Sequence, residues 1–320
     1  MGIEAEVFDP LLPGATSRIG GFEAFIWRYS PWAPWTDAAP RIMALVEEVY
    51  GLPVWPPRVL REAYESKITQ ADLLDALQIP SPRTWVYWRE KDALAALPEL
   101  PLPLVTKLSR GGRSEGVALI STRGEAELLI RQMFSIGLGS MGFMREKRER
   151  RWGKYTPLVR AMRRGRFKGS HERGYVLFQE FIPGNAFDTR VVIQGDRGWA
   201  SRRMVREGDF RASGSGVSDL SAAAINPEAL ALTWRLADAL GVRSLVTDVM
   251  QRDGRPVMGE FSFSMQAHPL RLWEGHWRRG ADGIAWVDEP LDWPTAVFQD
   301  FIAEIQARSV EPRRKQFVAE

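Results

Sequence analysis

The sequence predicts an α+β fold, and three observations predict it. From Tyr175 to Gly216, β-rich runs alternate with turns at Pro183-Gly184-Asn185 and Gly195-Asp196-Arg197-Gly198, with cations standing on the strands. A second strand–turn–strand unit runs from Val242 to Ser264 around Gln251–Gly254. Before, between and after these units, apolar residues recur at helical spacing.

Composition sets the outer bounds. A chain of 320 residues has room for about two domains. Hydrophobic residues make up 45% and charged residues 26%, enough for a sizeable core. The 43 basic and 40 acidic residues leave a formal net charge of +3, too balanced to demand nucleic acid. There is no cysteine, which excludes disulfides, thiolate metal sites and cysteine catalysis. His171, His268 and His276 are too scattered for a zinc site. No signal peptide and no apolar run of about 20 residues is visible, so a cytoplasmic location with no membrane partner is the expectation.

Residues 1–66 are rich in proline and tryptophan. Phe22–Tyr29 reads as a strand, and Arg41–Tyr50 as a helix that stops at Gly51. Tyr64–Gln78 reads as one helix, with Ile68, Ala71, Leu74 and Leu77 on one face and a stop at Ile79-Pro80-Ser81-Pro82. Leu102–Leu108 is a short strand carrying Lys107. It is followed by Ser109–Gly116, which contains Gly111, Gly112 and Ser114, and then by a returning strand over Val117–Ser121. A strand lysine before a glycine-rich loop suits a polyphosphate: glycine lets backbone N–H groups approach, and lysine supplies a point charge. A polar hairpin loop is the alternative. The Walker spacing is absent. Gly124–Ile136 is an amphipathic helix. Gly137–Gly142 matches G-x-G-x-x-G by letter but follows a helix, so it reads as a connector. Arg145–Lys168 is basic with interleaved aromatics and reads as a solvated face, with a polyanion surface as the alternative.

Asn226-Pro227-Glu228 starts a helix that runs to Leu240 and stops at Gly241. Val242–Met250 then carries Asp248, and Pro256–Ser264 carries Glu260 on the return strand. Two carboxylates on adjacent strands can converge on one point, as a hard divalent cation requires. The alternative is an acid paired to a neighbouring arginine such as Arg255. Tryptophans 273, 277, 286 and 293 enrich the tail, and Trp293–Ala307 is a closing amphipathic helix.

The order of these motifs resembles the ATP-grasp ligases, over roughly residues 60–265. The Gln179-Glu180-Phe181-Ile182 run is similar to the family's hinge, Asp188 and Arg190 to its Asp-x-Arg, and Asp248 and Glu260 to its metal-binding strands. The resemblance implies an ATP-grasp fold, two α+β lobes clasping a nucleotide, preceded by a short pre-grasp domain. The implied divisions are 1–66 (pre-grasp), 67–183 (small lobe with a glycine-rich lid) and 184–320 (large lobe with metal site and C-terminal helix). It implies ATP as cofactor, held by Lys67, Lys107, Gly111, Gly112 and Ser114 at the phosphates. The Gln179–Ile182 hinge would hold the adenine and Asp188 the ribose. It implies Mg2+ on Asp248, Glu260 and Ser262, the last standing where the family has asparagine. Arg190, Arg203 and Arg211 would hold the γ-phosphate and the acylphosphate, with Arg211 foremost. The implied reaction joins a small-molecule carboxylate to an amine (an amino acid, peptide or sugar acid). Two other readings stay open: a phosphotransferase on the same site with a hydroxyl acceptor, and a non-catalytic nucleotide or nucleic-acid binder using 145–168.

Overall fold

The computed structural model describes residues 4–31, 34–110, 116–139, 171–205, 216–264, 273–290 and 292–308. The N-terminal part holds α1 (Ala15–Ile19), β1 (Phe25–Ile26), α2 (Trp35–Glu48), β2 (Val54–Trp55) and α3 (Arg58–Ala63). The strand expected over Phe22–Tyr29 is only β1, paired in parallel with β2. Pro53, Pro56 and Pro57 flank β2 and have no N–H to lengthen that ladder. Helix α2 begins six residues before Arg41 and runs through Pro40. Burial of Ala39, Met43 and Val46 outweighs the missing backbone bond. The single helix expected from Tyr64 to Gln78 is broken. Glu65 takes φ +52°, and α4 (Lys67–Ala76) starts afresh, with the Ser66 hydroxyl accepting the Thr69 N–H at 3.3 Å.

The smaller lobe contains β3 (Thr84–Tyr87), α5 (Glu90–Ala96), β4 (Leu104–Lys107), β5 (Val117–Ile120) and α6 (Arg123–Phe134). It continues through β6 (Leu138–Gly139), β7 (His171–Glu172) and β8 (Val176–Glu180). Its sheet is antiparallel in the order β3-β8-β4-β5. A capping box between Thr122 and Glu125 starts α6, whose Ile130 and Met133 join Leu104, Leu108 and Phe178 in a core of their own.

The chain crosses to the second sheet over residues 181–186. There it forms β9 (Phe187–Gln194), β10 (Arg197–Met204), β11 (Ser218–Asp219), α7 (Pro227–Leu240), β12 (Ser244–Arg252) and β13 (Arg255–Ser262). β14 (His276–Gly280), β15 (Gly283–Val287) and α8 (Trp293–Arg308) follow. The sheet is seven-stranded, in the order β13-β12-β9-β10-β14-β15, with β11 also on β10. Helix α7 has the Asn226 cap and the left-handed Gly241 stop read from the sequence. The β14–β15 hairpin was not expected. It lies at the sheet edge, where half-exposed residues and Arg278–Arg279 blur the alternation. Trp273, Trp277 and Trp293 are buried in the core, as packing requires.

The N-terminal part shares its core with the larger sheet: Phe263 packs against Tyr64 (4.4 Å between centroids), Tyr29 (5.2 Å) and, edge to face, Trp55 (5.8 Å). Helix α4 and the link after it cover the free edge of β13. Gln70 Oε1 accepts the Phe261 N–H (3.1 Å), and the Met258 N–H donates to the Pro80 carbonyl (2.7 Å). No helix among the described residues is long and apolar enough to cross a membrane.

Candidate active site

A cleft open to solvent lies between the two sheets. Lys107 reaches it from the end of β4, Lys67 from the first turn of α4, and Gln179 from β8. Glu260 and Gly259 of β13 form the opposite wall, and Leu74 and Leu177 supply apolar surface. Burial pushes the Lys107 amine down to about 8; Lys67 adds to this, and Glu260 and Asp248 oppose it. A desolvated cation aimed into a cleft binds phosphate oxygens more strongly than one in water.

The hinge residues stand where the sheets meet. The Gln179 side chain donates to Thr84 Oγ1 (2.9 Å). The Glu180 carboxylate accepts the Arg83 N–H (3.0 Å) and Arg252 Nη2 (2.5 Å), so it ties the small sheet to the β12–β13 hairpin. Phe181 and Ile182 follow, half-buried. Asn185, which sequence reasoning passed over as a turn residue, braces this crossing. Its amide accepts the Gln251 N–H (2.8 Å) and donates to the Gln251 carbonyl (3.0 Å).

The large-lobe wall carries an ionic network on one face of β9, β10 and β12. Arg190 grips Asp248 with two bonds (2.8 and 3.0 Å), and Arg203 grips Asp188 with two (both 2.6 Å). Arg203 also reaches Asp248 at 2.7 Å. Register explains the grouping: Arg203 pairs with Asp188 across β10–β9, and Asp248 with Arg190 across β12–β9. Burial would raise the Asp248 carboxyl, but Arg190 and Arg203 outweigh it and hold the group well below the usual carboxylate range. Burial and the neighbouring Asp248 push Asp188 up. Asp248 is thus paired to arginine, as the alternative reading had it, but to Arg190 and Arg203 rather than to Arg255.

Asp248 and Glu260 are direct partners across the β12–β13 ladder and so share a face. The register slips between Asp248 and Val249, leaving Gly259 as the extra residue of a bulge. A Cβ there would lie 2.9 Å from the Asp248 carbonyl oxygen, so the bulge requires glycine. A glycine inside a strand, next to an acid, was the available signal. Glu260 faces the cleft with the hard oxygens that magnesium takes beside phosphate oxygens, whereas both oxygens of its ladder partner Asp248 are engaged by Arg190 and Arg203. Among the described residues no group of three or more His, Cys, Asp or Glu gathers. The Ser262 hydroxyl folds back on its own loop, donating to the Ser264 carbonyl and accepting the Ser264 N–H, both at 3.1 Å. Gly111, Gly112, Ser114, Arg211 and the 145–168 segment lie outside the described residues.

No protein-family model and no curated protein sequence matches the chain. Solved structures do. N5-carboxyaminoimidazole ribonucleotide synthetase from Thermus thermophilus is similar at a TM-score of 0.50 and 16% identity, over 82% of this chain and 61% of that one. The biotin carboxylase domain of 2-oxoglutarate carboxylase from Hydrogenobacter thermophilus is similar at 0.51 and 16%, over 79% and 52%. A RimK domain ATP-grasp protein from Sphaerobacter thermophilus is 21% identical at a TM-score of 0.49, over 80% and 76%. The chain thus spans about half to three-fifths of the length of the first two. It has the ATP-grasp fold, two α+β lobes facing each other across a cleft.

Proposed function

We propose that this chain is an ATP- and magnesium-dependent carboxylate–amine ligase that works through an acylphosphate. The observation that carries the reading is the opposition of charge across the cleft: Lys107 and Lys67 on one side, and on the other Glu260, the ladder partner of Asp248. Such a cleft aligns a polyphosphate and neutralises charge, and this reaction needs little else from the protein. The Hydrogenobacter domain was solved with MgADP and bicarbonate, which supports a nucleotide site in this fold.

In the proposed reaction, a carboxylate oxygen attacks the γ-phosphorus, the bond to the β–γ bridging oxygen breaks and ADP leaves. An amine nitrogen then attacks the acyl carbon, the bond to the phosphate oxygen breaks, and the nitrogen gives up a proton. Lys107 and Lys67 hold phosphate oxygens through both steps. The Gln179–Ile182 backbone holds the adenine, and Asp188 stands toward the ribose. Arg190 and Arg203 keep Asp248 ionised and offer guanidinium charge to the transferring group. Arg211 and the Gly111–Ser114 loop belong to the same proposal. Asp248 and Glu260, with Ser262 as a weaker third oxygen, would hold magnesium, which would supply charge neutralisation at the phosphates.

Incubation with ATP, magnesium and a panel of amino acids, peptides and uronic acids tests this. ADP, free phosphate and a new amide are expected, all abolished by a chelator. A phosphorylated acceptor without free phosphate would assign a phosphotransferase instead. No ATP turnover, together with a salt-steep affinity for nucleic acid, would leave only a binder.

A further inference from the structure

The stem that carries Lys107 into the cleft is held by a carboxylate to which the reaction above gives no role. The Ser109 N–H donates to Glu172 Oε2 (3.0 Å) and to the Tyr175 hydroxyl oxygen (2.6 Å). The next N–H, of Arg110, donates to Glu172 Oε1 (3.0 Å). The Tyr175 hydroxyl donates to Glu172 Oε2 in turn. On its other side, Ser109 gives its carbonyl to the Lys67 N–H (3.1 Å), the first residue of α4. The Leu108 N–H donates to the Gly116 carbonyl (2.9 Å) and closes the neck. Ser109 is 9% exposed and Tyr175 5%, so the bond between them stands out of water, where it is worth more, while the Glu172 bonds are half-buried and the Arg110 one lies at the surface.

We infer that Glu172 is a positioning residue for the nucleotide phosphates: through the Ser109–Arg110 backbone it sets the places of Lys107 and Lys67 together. The inference rests on the nucleotide reading above. Three donors converge on one carboxylate, and no other ionised side chain takes that many at this stem among the described residues. A carboxylate accepts on both oxygens, whereas an amide has one accepting oxygen and turns a donor against an N–H. Glu172→Gln therefore keeps the size of the group while loosening the stem.

The test compares ATP with adenosine, which lacks the phosphates but keeps the base and ribose. Affinities are measured calorimetrically for the wild type, Glu172→Gln and Tyr175→Phe, alongside thermal unfolding. For Glu172→Gln the expected result is an ATP affinity at least about tenfold weaker with adenosine affinity unchanged, the unfolding temperature falling by a few degrees at most for the lost bonds. Tyr175→Phe removes one of the three donors and should show a smaller loss of the same kind. This second variant carries the test if Glu172→Gln does not fold. Equal loss for ATP and adenosine with a lowered unfolding temperature would make Glu172 merely structural and overturn the inference. Unchanged ATP affinity in the variants would overturn it too. A wild type that binds adenosine and ATP equally, or neither, would instead sink the nucleotide reading beneath it.

Discussion

The two walls of the cleft handle charge in opposite ways. On the small-lobe wall, Lys107 makes no ion pair among the described residues, and burial lowers its amine to about 8. On the large-lobe wall, Asp188, Arg190, Arg203 and Asp248 satisfy one another almost completely. One wall therefore presents charge that an anionic ligand can compensate. The other is neutralised from within, and only Glu260 of the acidic pair faces the cleft. Arg190 and Arg203 balance Asp248 from within the wall.

The largest expected effect lies on the self-neutralised wall. Arg203→Ala leaves Asp188 and Asp248 buried without their shared partner, and should lower unfolding free energy by about 3–5 kcal/mol. Denaturant titration measures it. A loss under about 1 kcal/mol would mean that the network is not a stabilising unit and would erase the contrast between the walls.

Glu260→Gln should leave stability nearly unchanged and lower ATP turnover about a hundredfold at saturating magnesium. Adenosine binding should persist. Near-normal turnover would reduce the β12–β13 hairpin to a structural role.

On the opposite wall, Lys107→Ala should weaken ATP binding by about 2 kcal/mol, roughly thirtyfold in Kd, with no loss of stability, because a desolvated cation is removed. Calorimetry that finds unchanged affinity would take Lys107 out of the site.

The last comparison sharpens the same point through pH. The folded Lys107 amine titrates near 8, below its unfolded value of 10.5, so between these values the unfolded chain holds the extra proton. Stability should therefore rise with pH across that window, and the rise should vanish in Lys107→Ala. Phosphate binding favours the protonated amine, so ATP binding near pH 8 to 9 should take up protons. Binding enthalpies in buffers of different ionisation heat measure that uptake, and no buffer dependence would place Lys107 away from the phosphates.

Much of this fold was legible because its signals are local. Asn226, Pro227 and Gly241 mark the ends of α7 by capping chemistry that depends only on neighbouring residues. The Asp253-Gly254 turn, with φ of +52° and +78°, announces the β12–β13 hairpin, but its register alone would set Asp248 against Gly259, and only the bulge there brings Glu260 opposite Asp248. The edge hairpin β14–β15 was missed because partial exposure erased its alternation. The break at Glu65 was missed because the helical periodicity continues across it.

What local spacing settled was the ends of α7, the β12–β13 turn and the order of the charged residues along the chain, since capping and turn chemistry act within a few residues. Tertiary structure alone decided how those charges are spent. Arg203 lies 15 residues from Asp188 in the chain, and Arg190 lies 58 from Asp248. Only the strand order β12-β9-β10 brings the four into one network. Likewise Glu172 reaches Ser109 across 63 residues. Which of these carboxylates meets a guanidinium, a backbone N–H or the cleft depends on sheet register and burial, and neither is written in the spacing of the residues.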